Sequence, residues 1–146
     1  MTDVAVREPV IAWPAANRAV VAAAGKAARL GIAVNAAVCD PAGRLAAFLR
    51  MPGAFNESIG IAIDKAKTAA GFGFPTHEWA GALRDNELLK LGIATRPGVV
   101  IFGGGLPILD GEGDLIGAIG VSGGSEEQDI ACAQAGIDAI ARMHNG

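Results

Sequence analysis

Tyrosine is absent from this chain, and two tryptophans and five phenylalanines are its only aromatic rings. A site that sandwiches a large flat ligand between rings has few to draw on. Cysteine and histidine each occur twice. Cys39 and Cys132 lie far apart with no C-x-x-C spacing, so a disulfide framework is not expected and both should be reduced thiols. His77-Glu78 does not open an H-E-x-x-H motif, because position 81 is glycine, and His144 sits near the C-terminus. No two-histidine metal cluster follows, and no metal is expected. There is no basic excess: 12 Lys and Arg against 15 Asp and Glu give a net charge of −3. Such a chain lacks the positive field that nucleic acid requires, so nucleic acid is not an expected partner. Long apolar runs are missing too. The longest, Pro97 to Leu109, is broken by Gly103-Gly104-Gly105 and Pro107, which argues against a membrane span. The N-terminal stretch has an early acid, Asp3, and no apolar core of a secretory signal, so a cytoplasmic location is expected. The chain also lacks a Gly-x-Ser-x-Gly elbow, a P-loop tail and a Rossmann glycine triplet on a strand-helix turn.

What is present is small and apolar. Hydrophobic residues make up 51% of the sequence, much of it alanine, with 21 glycines and a mean hydropathy of +0.38. Small side chains let elements approach closely, but each buries little area. A chain this size has more apolar surface than one core needs, and the surplus predicts subunit contacts, that is, a homo-oligomer.

No linker, repeat or charge block divides the sequence, so residues 1–146 are expected to form a single domain. The pattern predicts a first helix over Pro14–Leu30 with Val20, Val21, Ala24 and Ala28 on one face. Two strands, Ala33–Cys39 and Arg44–Arg50, should follow, joined by a type I turn at Asp40-Pro41-Ala42-Gly43. A second helix over Ser58–Ala70, capped by Asn56 or Ser58, should face inward through Ile59, Ile63, Ala66 and Ala70. Thr76 should cap a third helix reaching past Leu83 toward Leu88 and Leu89. Val99–Phe102, Leu106–Leu109 and Leu115–Val121 suit strands, the last two joined by a loop at Asp110-Gly111-Glu112-Gly113. The capping box Ser125-Glu-Glu-Gln128 opens a final helix, with a core stripe Ile130, Ala133, Ile137, Ile140 and a second face of Cys132, Gly136 and Ala139 that predicts a subunit contact. This order implies an α/β fold with a mostly antiparallel sheet covered by helices.

Four segments resemble the GlcG/HbpS-like family, which also includes the C-terminal domain of PduO-type proteins. They are Val38-x-Asp40-x-x-Gly43 with Arg50-x-x-Gly53-Ala54; Ser58-x-x-x-Ala62-x-x-Lys65-Ala66-x-Thr68-Ala69 with Phe72-x-x-Pro75-Thr76; Gly104-Gly105-x-Pro107-Ile108; and Ile116 to Gly123 with Glu127-Gln128-Asp129-x-x-Cys132-Ala133. The resemblance implies a profilin-like α/β sandwich with a five-stranded antiparallel sheet, and assembly into higher oligomers, often octamers. It also implies haem binding or action on a small metabolite of a catabolic pathway. One departure stands out: many relatives carry Asp before Gly-Ala, where this chain has Met51-Pro52.

The candidate ligand-binding residues are Arg50, Lys65, Thr68, His77, Gly104 and Gly105. Arg50 and Lys65 lie among apolar neighbours and suit an anionic group such as a haem propionate. Their alternatives are a rim salt bridge for Arg50 and, for Lys65, a solvated ammonium or a bridge to Glu or Asp. The glycines of 103–105 could bring a ligand against bare backbone or simply bend the chain between strands. His77 is a candidate haem ligand, or a solvent-facing first-turn residue. Gly123-Gly124 before the last helix is not a phosphate site, because Glu126, Glu127 and Asp129 already fill its first turn. Beside a purely structural role as an assembly or chaperone subunit, two functions emerge. One is an oligomeric binder of haem or another carboxylate-bearing small molecule. The other is a cofactor-free hydrolase, hydratase or tautomerase in which Lys65, Glu127 or Asp129 is the acid or base.

Overall fold

The computed structural model describes residues 2–143; His144 lies outside them. Its elements run α1 (Trp13–Arg29), β1 (Asn35–Cys39), β2 (Leu45–Arg50), α2 (Ser58–Phe72), a 3-10 turn (Thr76–Glu78), α3 (Trp79–Ala82), α4 (Glu87–Ala94), β3 (Gly105–Leu109), β4 (Leu115–Ser122) and α5 (Glu126–Met143). The strands form one antiparallel sheet in the order β2-β1-β4-β3. The α/β architecture is the expected one, with four strands among the described residues rather than five. Val99–Phe102 forms no strand: the Val100 amide donates to the Thr68 hydroxyl at 3.0 Å, leaving that stretch outside the ladder.

Both hairpin loops close on an aspartate. Asp40 Oδ1 accepts the amides of Ala42 (3.0 Å) and Arg44 (2.9 Å), and Asp110 Oδ1 accepts those of Glu112 and Asp114, each at 2.9 Å. An Asx turn of this kind pre-forms the loop before the strands pair. The capping box at α5 is formed as the sequence predicts: the Gln128 amide donates to Ser125 Oγ at 3.2 Å and the Ser125 amide to Gln128 Oε1 at 2.9 Å.

Helices cover both faces of the sheet. α1 and α5 pack together over one face, where Ala36, Val38, Leu106, Ile108, Ile119 and Val121 point. α2 covers the other, over Ala37, Cys39 and Ala118. Several expected faces are rotated. α1 buries Ala16, Ala19, Val20, Ala23 and Ala27 and leaves Val21 exposed. α2 turns Ala62, Lys65, Ala66 and Ala69 inward and keeps Ile59 and Ile63 only half-buried. Its first residue follows Glu57, with no side-chain cap from Asn56 or Ser58. The third helix is two: α3 ends at Ala82, and Asn86 caps a separate α4 by accepting the Leu89 amide at 2.9 Å. Thr76 caps neither, since its hydroxyl accepts the Gly105 amide at 2.9 Å.

The Cys132-Gly136-Ala139 face of α5 is likewise buried within the chain. A Cβ on Gly136 would meet Ile119 Cδ1 at 2.6 Å and the Ala19 carbonyl oxygen at 2.9 Å, so this face seats α5 on α1 and β4 and is not available to a second subunit. α2 approaches the sheet just as closely. A Cβ on Gly120 would collide with the Ala62 carbonyl oxygen and lie 2.5 Å from the Ala66 amide nitrogen. Gly120→Ala should therefore lift α2 off β4 and lower unfolding stability by about 3 kcal/mol or more, the upper range for overpacking against backbone. Urea denaturation checks this; unchanged stability would mean that α2 does not rest on the strand.

Candidate functional site

Lys65 points from the middle of α2 across the sheet toward the end of β4. Its side chain is 1% exposed. The ammonium donates to the Val121 carbonyl at 2.8 Å and to Asp129 Oδ2 at 3.0 Å, and lies 5.2 Å from the centroid of the Phe102 ring. Two hydrogen bonds and a cation–π contact leave it no unmet demand. Asp129, in the first turn of α5, completes its own set by accepting the Gly124 amide at Oδ1, 2.8 Å away. Gly104 permits the arrangement. Its φ of 124° is one that L-residues rarely adopt, and a Cβ there would lie 2.6 Å from the Lys65 nitrogen. Glu126 ties the same loop to α5 by accepting the Gly103 amide at 3.0 Å.

Burial sets the electrostatics of the pair. It pushes the Lys65 ammonium below the usual lysine range, while Asp129 and then Glu126 pull it back. It pushes the Asp129 carboxyl above the usual carboxylate range, opposed by Lys65 and by the amides of Gly124 and Gly123. Burial also raises both thiols, Cys39 and Cys132, to about 11, which leaves neither a ready nucleophile.

The structure therefore brings Lys65, Asp129 and Gly104 together, with the Asp alternative for Lys65 realised. The other candidates stand elsewhere. Arg50 is exposed and donates through Nη2 to the Ala54 carbonyl at 2.9 Å. Thr68 is buried and accepts the Val100 amide. Gly105 lies beneath α2, where a Cβ would meet the Lys65 carbonyl oxygen at 2.5 Å. Glu127 is exposed on α5, and His77 is exposed on the 3-10 turn. That turn packs on β3, at the edge of the sheet opposite β2 and its Arg50.

Three features have no local signal in the sequence. Phe102 covers the Lys65 ammonium. Asn35, fully buried at the start of β1, donates to the Phe55 carbonyl at 3.0 Å, and its Oδ1 has no partner among the described residues. Phe72, Phe74 and Trp79 form an aromatic cluster around the His77 turn, with the Trp79 ring centroid 4.8 Å from each phenylalanine. Next to it lies a cleft of about 580 Å³ lined by Phe74, Glu78, Gly81 and Ala82. A smaller one of about 240 Å³ takes Ala80, Leu83, Arg84, Lys90 and Ile101 as its walls.

Comparison with known proteins places these features in context. The family model described as "Haem degrading protein HbpS-like" matches residues 11–138. A 15.0 kDa protein of Citrobacter freundii, from the dhaT-dhaS intergenic region, is 36% identical over 134 residues, spanning 91% of this chain and 94% of that protein. Among solved structures, the Klebsiella pneumoniae protein ORFY aligns with a TM-score of 0.88 at 34% identity and covers 97% of both chains. The complex of PduOC with haem aligns at 0.80 and 34% identity, covering 89% of this chain and 94% of that one.

The buried pair yields a stability prediction. Lys65→Met leaves Asp129 buried without its cation and should cost about 3–5 kcal/mol, whereas Lys65→Met with Asp129→Leu should recover much of the loss. Asp129, with its folded pKa raised, binds a proton more tightly when folded, so its contribution is present below 3.8 and is lost as pH rises through the folded value. Lys65, with its folded pKa lowered, contributes stability above 10.5 that is lost as pH falls through the folded value. Relative to the double variant, the parent should be weakest at intermediate pH and gain toward both extremes. Parallel pH–stability curves for the two would contradict this.

Proposed function

The chain belongs to the HbpS-like family, and on that footing we propose that it binds haem or a similar flat, carboxylate-bearing small molecule as a homo-oligomer. The observation that carries the reading is the aromatic cluster at His77. The chain has two tryptophans and five phenylalanines, and three of those rings gather on either side of one exposed histidine and beside an open cleft. These residues suit haem: the exposed His77 offers an imidazole for the iron, Phe74 with Gly81 and Ala82 a wall for the macrocycle, and Arg84, further along the same segment, a partner for a carboxylate. Haem when bound would supply the iron chemistry; the chain's own part is to hold the macrocycle and shield one face. Arg50, across the sheet, is then a rim cation for a second anionic group or for a neighbouring subunit. The haem complex of PduOC, a structural neighbour at 34% identity, supports the same reading.

The oligomer rests on α4. Its sequence is apolar, none of its residues is buried, and Leu88, Leu89 and Leu91 are 82%, 45% and 65% exposed. An eight-residue helix with no packed face is not stable alone in water. Glu87 before these leucines and Lys90 among them suit an antiparallel copy, where each acid meets the other's base.

The enzyme reading asks for an acid or base that faces a ligand. Lys65 and Asp129 face each other, and Glu127 is the one acidic candidate that is exposed.

Titration of the apoprotein with haemin is expected to give a saturable Soret shift at fixed stoichiometry, with His77→Ala altering the band position. A broad, non-saturating shift, or a band indifferent to His77, would remove haem as the ligand. For assembly, light scattering should show a species well above 14.7 kDa. Leu88→Glu with Leu91→Glu should return it to the monomer with the fold intact by circular dichroism. A parent that is already monomeric at micromolar concentration would end the oligomer reading.

A further inference from the structure

One end of the sheet carries a row of polar side chains on the face that α2 covers. Asn35, Ala37 and Cys39 alternate on β1, and the last two pack under α2, so Asn35 points to the same side. Its partners across the ladder are Arg50 on β2 and Ser122 on β4, which sets the three in one row. Ser58 opens α2 over the same end, because the helix crosses β4 with Ala62 and Ala66 on Gly120 and Ala69 and Ala70 in the cluster of Ala118. Asn35 is 0% exposed, and Ser58 and Ser122 are buried.

The loop from β2 to α2 closes over this row. Arg50 Nη2 donates to the Ala54 carbonyl at 2.9 Å and Asn35 Nδ2 to the Phe55 carbonyl at 3.0 Å. Between Pro52 and Glu57 only Ala54 is buried, and Phe55 is 66% exposed, so polar bonds more than packing hold the loop down. Two donors from neighbouring strands thus take consecutive carbonyl oxygens, a task that one carboxylate can also perform. One demand stays unmet. Asn35 Oδ1 has no hydrogen-bond partner among the described residues, so neither Ser58 nor Ser122 serves it. A buried acceptor without a donor is costly and calls for an explanation. The start of α2 also lacks compensation for its dipole. It has no acidic residue in its first turn, whereas α5 has three, and Glu57 before it is exposed and makes no cap bond.

We propose that the β2–α2 loop is a lid over a binding site for a small carboxylate with a hydroxyl next to its acid group. With the lid raised, Arg50 and Asn35 Nδ2 hold the carboxylate in place of the two loop carbonyls, at the positive end of α2. The ligand's hydroxyl donates to Asn35 Oδ1. Both polar atoms belong to one amide, so the acceptor and donor that meet them must be neighbours on the ligand. Release of the lid costs little, because the Phe55 carbonyl keeps the Ser58 amide as its donor, at 3.1 Å, when Asn35 lets go.

The test is calorimetric titration of the full chain with lactate and, separately, with propionate, which lacks the hydroxyl; neither titration depends on haem. Saturable binding of lactate at one site per chain is expected in the millimolar range. Propionate should bind about tenfold more weakly, the scale of one hydrogen bond to a buried group that is otherwise unpaired. Arg50→Gln, an exposed change, should weaken both acids about tenfold. Asn35→Leu should abolish the preference for lactate. Without ligand that variant should melt no lower than the parent, since it deletes an unpaired acceptor and leaves the Phe55 carbonyl its other donor. A much lower melting point would mean that the amide has a partner inside the protein, and the proposal would fail. It would fail equally if lactate did not saturate, if propionate bound as well, or if Arg50→Gln changed neither affinity.

Discussion

The Lys65 ammonium joins α2, the end of β4, the first turn of α5 and the glycine loop before β3, and their positions depend on it. The Lys65–Asp129 contact spans 64 residues of sequence. Desolvating two charges costs nearly what their attraction returns, so the net gain in stability is small. The constraint is on alternatives: every arrangement that separates them leaves a charge buried without a partner. α2 can therefore occupy one register over the sheet, and the residues that surround the ammonium must leave it room. Gly104 does so by its backbone conformation, and Gly120 and Gly105 by letting α2 settle onto bare strand.

That close seating decides which side chains go where. α2 buries alanines because no larger residue fits between it and β4, and its isoleucines are displaced to the flanks. α1 and α5 meet through Ala19 and Gly136 for the same reason. A core built of small residues buries little area per residue and leaves large apolar groups outside it. Phe55, Phe102, Trp13 and the three leucines of α4 are the result. The high hydropathy of the sequence and the exposed surface of the folded chain have one origin, and the surplus is densest on α4, with single residues such as Trp13 and Val21 left outside on α1 and Phe72 on α2.

Features set by neighbouring residues were legible in the sequence: the Asp40 turn, the Ser125 capping box, the Leu115 strand, and the order of helices and hairpins. Helix faces were not. An alanine-rich helix such as α1 has almost no contrast between its sides, so three valines and alanines chosen as the inner face proved to lie at the surface or the margin. In α5 the isoleucines carried the contrast but the glycine carried the contact. Val99–Phe102 has the composition of a strand, yet whether it pairs depended on Thr68, thirty-two residues before Val100, taking the amide. Of the site, the sequence offered Lys65 and Asp129 as candidate acids or bases, with a Lys65 bridge to some Glu or Asp as the alternative. That they are partners required the fold, since nothing local links the middle of one helix to the first turn of another.

The same geometry separates support from recognition. A residue that meets all its partners inside the protein has nothing left for a ligand, and this holds for Lys65, Thr68 and Asp129. Groups able to respond to a ligand are those whose surroundings are incomplete, and the His77 turn is one, since Trp79 Nε1 has no partner among the described residues. The His77 turn packs on β3 and α2 and continues through the buried Trp79 and Leu83 into α4, none of whose residues is buried. Segments with few buried contacts open at low free energy. Here such a segment lies beside a scaffold fixed by the ion pair and the glycine contacts. Its displacement would leave the sheet undisturbed, because the scaffold is held by contacts that do not pass through α4.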